Sequence, residues 1–238
     1  MQRPLVFAHR GASATLPEHT LPAYQLALDL GADGLECDVR LTRDGHLVCL
    51  HDARLDRTSN GTGRVSTHSL ADLELLDFGG RVLTLDRLIT VAGEAGRRVR
   101  LLVETKHPTR YGAAVERALL ALLRRRGLLN PGPDAPVEVT AMSFSPLAVR
   151  RLSGVLPTVL LLDLLPVGRL PFGAHIAGPG IGLVRARPGL VARLRERGYR
   201  CYVWTVNEPA DLDLVVELGV DGIITDRPAE ALARIGGA

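Results

Sequence analysis

Short apolar runs recur along the chain and alternate with segments of helical period. The runs cover residues 5–9, 34–39, 47–52, 99–106, 137–144, 158–163, 181–184, 200–206 and 222–226. Several are continuous Val/Ile/Leu stretches, the pattern of parallel strands buried on both faces. Helical spacing occupies 21–30, 113–126, 146–152, 188–197, 210–218 and 229–235. Proline near the start of several, and Gly31, Gly127, Gly198 and Gly219 just past the end of others, mark their limits. This alternation predicts a parallel α/β sheet. No low-complexity linker divides the chain, so 1–238 reads as one domain.

Nine strands are one too many for a (β/α)8 barrel. Between Val39 and Leu47 there is no room for a helix, and parallel neighbours need a crossover of roughly a dozen residues. That gap holds Asp44-Gly45, a strong hairpin signal. The third run is therefore expected to return antiparallel, leaving eight barrel strands. With Asp44 and Gly45 as the two central turn residues, Arg43 faces His46 and Asp38 faces His51. His51 would then return to the C-terminal mouth, where barrels of this kind carry their chemistry. Residues 53–84 form a small excursion beyond the barrel.

Composition narrows the class. Length of 238 residues and 46% hydrophobic content allow a large core. A net charge of +3 with only 4% aromatics argues against a nucleic-acid surface, which needs a basic stripe with stacking rings. Cys37, Cys49 and Cys201 match no zinc spacing and read as reduced thiols. The first residues lack a signal-peptide core, and no apolar run is long enough to span a bilayer. A soluble, cytoplasmic protein without stable membrane association is expected.

One compositional oddity points at chemistry. Of 29 basic residues only Lys106 is lysine. It follows an apolar strand as Glu104-Thr105-Lys106, so the two charges share a strand face. Such a lone lysine marks a place where a compact ammonium is needed rather than a planar fork, or else simple drift. Glu36 and Asp38 likewise share a face, with Cys37 on the other. Carboxylates inside an apolar strand are costly unless paired or bound to a cation. With Glu104 they form an oxygen-rich set suited to one hard divalent cation, Mg²⁺ or Ca²⁺; the alternative is a salt-bridge network with Arg10, Arg40 and Lys106. His9 ends the first strand, and His51 is expected beside the acids, making an acid–base pair. Arg10 and Lys106 supply positive charge for an anionic group. His19, His46, His68, His107 and His175 lack such company and read as structural or solvent-exposed.

Taken together, these residues resemble the glycerophosphodiester phosphodiesterase family. The resemblance runs through His9-Arg10-Gly11, Pro17-Glu18-His19-Thr20, Gly31 to Val39, Thr42 to Gly45, His51-Asp52, Leu55 to Thr58 and Asn60 to Gly63. It continues in Glu104-Thr105-Lys106, Ser143-Phe144, Trp204 to Asn207 and Asp221 to Pro228. It implies a TIM barrel with catalytic His9 and His51, metal ligands Glu36, Asp38 and Glu104, and phosphate contacts from Arg10 and Lys106. It also implies a small-molecule glycerophosphodiester substrate, hydrolysed through a cyclic phosphate to glycerol 3-phosphate and an alcohol. Trp204 is expected against the glycerol carbons, unless it is a core aromatic. Glu18 and Asn207 are expected just behind the reacting groups.

Two departures stand out. The family's Pro-Glu-Asn-Thr is here Pro-Glu-His19-Thr, and the stretch after Leu76-Asp77-Phe78-Gly79 is shortened. A trimmed excursion leaves less cover over the mouth, which bears on the alcohols accepted. Two competing readings remain. One is a lysophospholipase D- or sphingomyelinase D-type activity on lipids, for which Leu164-Leu165-Pro166 and Leu170-Pro171-Phe172 are rim candidates. The other is a barrel that binds phosphorylated metabolites without turning them over.

Overall fold

A computed structural model describes residues 3–164, 170 and 173–236. Of the two apolar rim segments noted above, positions 165, 166, 171 and 172 lie outside the described residues. The strands are β1 (Leu5–His9), β2 (Gly34–Leu41), β3 (Leu47–Cys49), β4 (Val99–Thr105), β5 (Val137–Ser143), β6 (Thr158–Leu162), β7 (Ile176–Pro179), β8 (Arg200–Val203) and β9 (Gly222–Thr225). The helices are α1 (Leu21–Asp29), α2 (Leu70–Glu74), α3 (Leu85–Gly93), α4 (Ala114–Arg125), α5 (Pro146–Leu152), α6 (Ile181–Ala186), α7 (Gly189–Glu196), α8 (Pro209–Glu217) and α9 (Pro228–Gly236).

All strands except β3 pair in parallel in the order β1-β9-β8-β7-β6-β5-β4-β2, and β2 closes on β1. This is the expected (β/α)8 TIM barrel. β3 hangs antiparallel on the outer edge of β2.

Strand alternation divides the side chains into two sets. Outward residues such as Leu35, Cys37, Val39, Leu101 and Val103 pack under the helices. Inward residues including Phe7, Leu102, Met142, Ile176, Tyr202 and Ile224 fill the barrel. The filling is tight enough to require Gly34, because a Cβ there would sit 2.6 Å from the Phe7 ring and 2.4 Å from the Arg100 carbonyl oxygen. One step further along the strands, the inward positions change from apolar to charged: His9, Glu36, Asp38 and Glu104. Cys37, Cys49 and Cys201 are buried free thiols.

Three expectations about local structure are corrected. Residues 181–184 are not a strand but the start of α6, and the seventh barrel strand is Ile176–Pro179. Periodicity cannot assign a four-residue apolar run, and the true strand is disguised by its small residues. Gly178 is small for a reason, since a Cβ there would lie 2.7 Å from Val159.

The hairpin is also longer by one residue. Its register pairs Val39 with Cys49 and Leu41 with Leu47, and the Leu50 amide donates to the Asp38 carbonyl. Leu50, not His51, therefore lies opposite Asp38. The loop holds three residues, with Gly45 at φ +89°, the left-handed position of a bulged turn. Finally, α3 was not anticipated: the β-branched run Ile89-Thr90-Val91 masks the helical spacing of buried Leu85, Leu88, Ile89 and Ala92. The Thr84 side chain caps its start.

Between β3 and α3, a 3-10 turn at Val65–Thr67 and α2 surround a small cluster of Val48, Leu50, Leu55, Val65, Leu73 and Phe78.

Candidate active site

Parallel register places Asp38 directly beside Glu104, with Glu36 two residues back on the same inward face of β2. One oxygen from each of the three carboxylates can be chosen so that all lie within 4.8 Å of one another. All three side chains are buried. Burial and the repulsion of Asp38 push the Glu104 carboxyl up to about 8, and burial with Asp38 and Glu104 pushes Glu36 well above the usual range. Asp38 is held well below it: burial opposes ionisation, but His19, Lys106 and Arg10 outweigh it.

Salt bridges alone do not balance this cluster. Arg10 Nε is 3.0 Å from Asp38, and Lys106 Nζ is 2.8 Å from Glu104 and 3.3 Å from Asp38. Glu36 has no Arg or Lys side-chain partner among the described residues; it accepts the Arg10 backbone amide at 3.2 Å, and His9 Nε2 lies 3.9 Å away. Arg40 gives its guanidinium to the His51 carbonyl at 2.8 Å instead. Asp38 Oδ1 is buried without an aligned hydrogen bond, although Lys106 lies near it. Crowded, buried, all-oxygen and incompletely neutralised, the three carboxylates fit a hard divalent cation.

Each of the two expected histidines is oriented by its own aspartate. His9 Nδ1 lies 2.6 Å from Asp226 Oδ1. Asp226 is fixed in turn by Asn207 Nδ2 at 2.6 Å and Ser13 Oγ at 2.9 Å. Burial opposes its charge, yet these bonds and that of His9 hold Asp226 at about 2. An ionised aspartate fixes the proton on Nδ1, leaving Nε2 directed toward the acids. His51 repeats the device: Nδ1 lies 2.7 Å from Asp52, which Arg57 grips at 2.7 Å and, more than any other neighbour, holds at about 2. Burial lowers the His51 pKa, so its imidazole is largely neutral at pH 7.

Arg10 occupies the left-handed region at φ +57°, followed by Gly11 at +88°. This turn is fixed by close approach, since a Cβ on Gly11 would meet the Ala23 carbonyl carbon at 2.7 Å. It aims Arg10 back over Asp38. Glu18 bonds both Arg10, at 3.1 Å, and Arg57, at 2.7 Å, so it links the two sides of the mouth. Trp204 stands half-buried at the rim beyond β8. Its Nε1 donates to the Gly178 carbonyl at 2.6 Å, and its ring meets Phe144 edge-on at 5.2 Å.

His19 requires correction. It is neither remote nor exposed: it is buried, with Nε2 3.0 Å from Asp38 and Nδ1 2.8 Å from the Tyr24 hydroxyl. Its position after β1 gave no hint of that contact, because a backbone φ of +61° turns it inward. Asp226, Asp52 and Arg57 were also not singled out, although Asp226 closes an apolar strand much as Glu104 does. His68, His107 and His175 bond elsewhere, and His46 lies 3.9 Å from Asp44.

A family model described as the glycerophosphoryl diester phosphodiesterase family matches residues 9–230. A probable glycerophosphodiester phosphodiesterase 1 of Mycobacterium tuberculosis is 47% identical over 257 residues, covering 97% of this chain and 92% of that protein. A glycerophosphodiester phosphodiesterase of Bacillus subtilis is 33% identical over 249 residues, covering 95% and 84%. Among solved structures, a glycerophosphodiester phosphodiesterase from Agrobacterium tumefaciens superposes with a TM-score of 0.78 at 28% identity, covering 97% of this chain and 99% of that one. A phosphodiesterase from Oleispira antarctica, in complex with the product sn-glycerol-3-phosphate, shares the fold with a TM-score of 0.83 at 24% identity, covering 98% and 97%.

Proposed function

We propose that this chain, which belongs to the glycerophosphoryl diester phosphodiesterase family, hydrolyses glycerophosphodiesters to glycerol 3-phosphate and an alcohol with the help of one divalent cation, Mg²⁺ or Ca²⁺. The observation that carries this is the meeting of two His–Asp pairs with a buried three-carboxylate cluster at one barrel mouth. Glu36, Asp38 and Glu104 would hold the ion. When bound, it supplies positive charge that offsets the phosphate and the charge developing on it. No helix among the described residues is long and apolar enough to cross a membrane.

The remaining chemistry falls to the chain's own residues. Arg10 and Lys106 face the phosphate oxygens and fix the diester beside the histidines. One histidine accepts the glycerol 2-hydroxyl proton at Nε2 as that oxygen bonds to phosphorus. The other donates a proton to the departing alcohol oxygen as its bond to phosphorus breaks. Water then opens the resulting cyclic phosphate with the two roles exchanged. Asp226 and Asp52 keep each imidazole in the tautomer this needs. Asn207 and Glu18 act through those neighbours, and Trp204 offers an apolar face to the glycerol carbons.

The test is an assay of purified protein on a panel of glycerophosphodiesters with Mg²⁺ or Ca²⁺. Turnover that chelator abolishes and either cation restores is expected; turnover indifferent to chelator would overturn the cation's role. The panel includes a lysophospholipid, because Phe144, Leu147 and Leu164 expose apolar surface near the mouth.

Lys106→Arg is expected to lower kcat by about tenfold or more despite keeping the charge. The ammonium is wedged between two buried carboxylates, with a side chain only 11% exposed. A guanidinium there is larger and planar, and must displace Glu104 or Asp38 to fit. Normal kinetics in this variant would return the lone lysine to drift.

A further inference from the structure

Lys106 faces two ways. Besides the carboxylates, it lines a small cleft, open to solvent, between the segment after β3 and the loop joining β4 to α4. The ionisable side chains on this cleft that carry a fixed charge are all cationic: Arg40, Arg64, Lys106 and Arg110. Among the described residues, no carboxylate lines it. Its two walls are tied, because the Tyr111 hydroxyl donates to the Ser66 carbonyl at 2.6 Å. Tyr111 also supports the Arg110 guanidinium, which sits 5.1 Å from the ring centroid. Among the described residues, Arg64 and Arg110 form no ion pair. Lys106 is balanced by Asp38 and Glu104, whereas Arg64 and Arg110 have no such partner, so an anion entering the cleft would offset their charge.

The position of the cleft says which part of a substrate it would meet. Arg40 lines it and also holds the His51 carbonyl, so the cleft opens on the His51 side of the mouth. With Arg10 and Lys106 assigned above to the diester phosphate, Arg64 and Arg110 of the cleft are left for another group. What remains for the cleft is the alcohol moiety.

We propose that this cleft is a subsite for a phosphate group on the alcohol moiety, so that the preferred diesters carry a second, terminal phosphate. This inference rests on the phosphodiesterase reading above. A phosphate monoester suits the cleft better than a carboxylate because its roughly −1.5 to −2 charge and three oxygens match several cations at once. A choline or ethanolamine head group would instead bring positive charge among arginines.

The experiment compares kcat/KM for glycerophosphocholine, glycerophosphoserine, glycerophosphoglycerol and glycerophosphoglycerol 3-phosphate. The terminal phosphate is expected to raise kcat/KM about tenfold or more over glycerophosphoglycerol, mainly through KM, the size of one charge-assisted hydrogen bond. Arg64→Ala with Arg110→Ala should bring that ratio toward one, and the paired Lys substitutions should keep most of it. Equal use of all four diesters, or a ratio unchanged in the double Ala variant, would overturn the subsite while leaving the phosphodiesterase reading intact. A preference for the serine diester alone would overturn the phosphate assignment. Hydrolysis of none of them overturns the parent reading and this one with it.

Discussion

Replacement of His51 by alanine is expected to lower kcat by about two to four orders of magnitude, the usual worth of a positioned proton carrier, with the fold intact. The side chain belongs to the mouth, not the core, and is about one-third exposed. It is the carbonyl of residue 51, not the imidazole, that receives Arg40, so the hairpin keeps its anchor in the variant. Asp52 keeps its bond from Arg57 and is not left unpaired. The loss should therefore appear in kcat, with KM changed far less and the melting temperature close to wild type. The pH profile adds a second reading. Burial lowers the His51 pKa, so the limb of the profile due to this group lies on the acid side of a free histidine and should vanish in the variant. Turnover within a few-fold of wild type would remove His51 from the chemistry.

Glu36→Gln is expected to abolish the response to Mg²⁺ or Ca²⁺ and to lower activity by about two or more orders of magnitude, because charge stabilisation by a bound cation is worth several kcal/mol. The same substitution should stabilise the metal-free protein at alkaline pH. A carboxyl whose folded pKa is raised binds its proton more tightly in the folded state. Its contribution is fully present below the ordinary value and is lost as pH rises through the raised one. Glu104 moves from 4.5 to about 8 and Glu36 in the same direction. Metal-free wild type should thus lose melting temperature as pH climbs from the ordinary glutamate range toward 8, and added cation should restore it. Removing one of the three crowded charges lessens that loss, with each ~1 kcal/mol appearing as about 2–4 °C. A Gln variant that still gains stability and activity from cation would displace Glu36 from the ligand set.

Much of the candidate site is legible in the sequence because strand alternation carries information in one dimension. Glu36 and Asp38 are two apart, as are Glu104 and Lys106, and a period of two puts each pair on one face whatever the rest of the fold does. An acid in an otherwise Val/Leu strand is conspicuous for the same energetic reason that makes it useful. The exclusion of β3 from the barrel followed from chain length alone, since no crossover helix fits between Val39 and Leu47. Where reading failed, the missing information was non-local. In the strand Ile176–Pro179, residue 178 is glycine because Val159 and Leu161 of β6 crowd it, and nothing near residue 178 announces that neighbour. The hairpin register turned on a single loop residue at Gly45, and a one-residue slip moves every partner.

The aspartates behind the histidines mark the boundary most clearly. Asp226 lies at the far end of the chain from His9, and only barrel closure, β9 against β1, makes them partners. His19 reached Asp38 through a positive φ that local pattern does not encode. The sequence by itself therefore determined the number of barrel strands and most of their positions, the oxygen-rich acids and the residues able to carry protons and charge. Which of these groups meet, which aspartate orients which imidazole, and the gathering of Arg40, Arg64, Lys106 and Arg110 around one cleft were decided only by tertiary structure. The reason is physical: periodicity sets the face a side chain takes, while contact depends on closure and loop geometry summed over the whole chain.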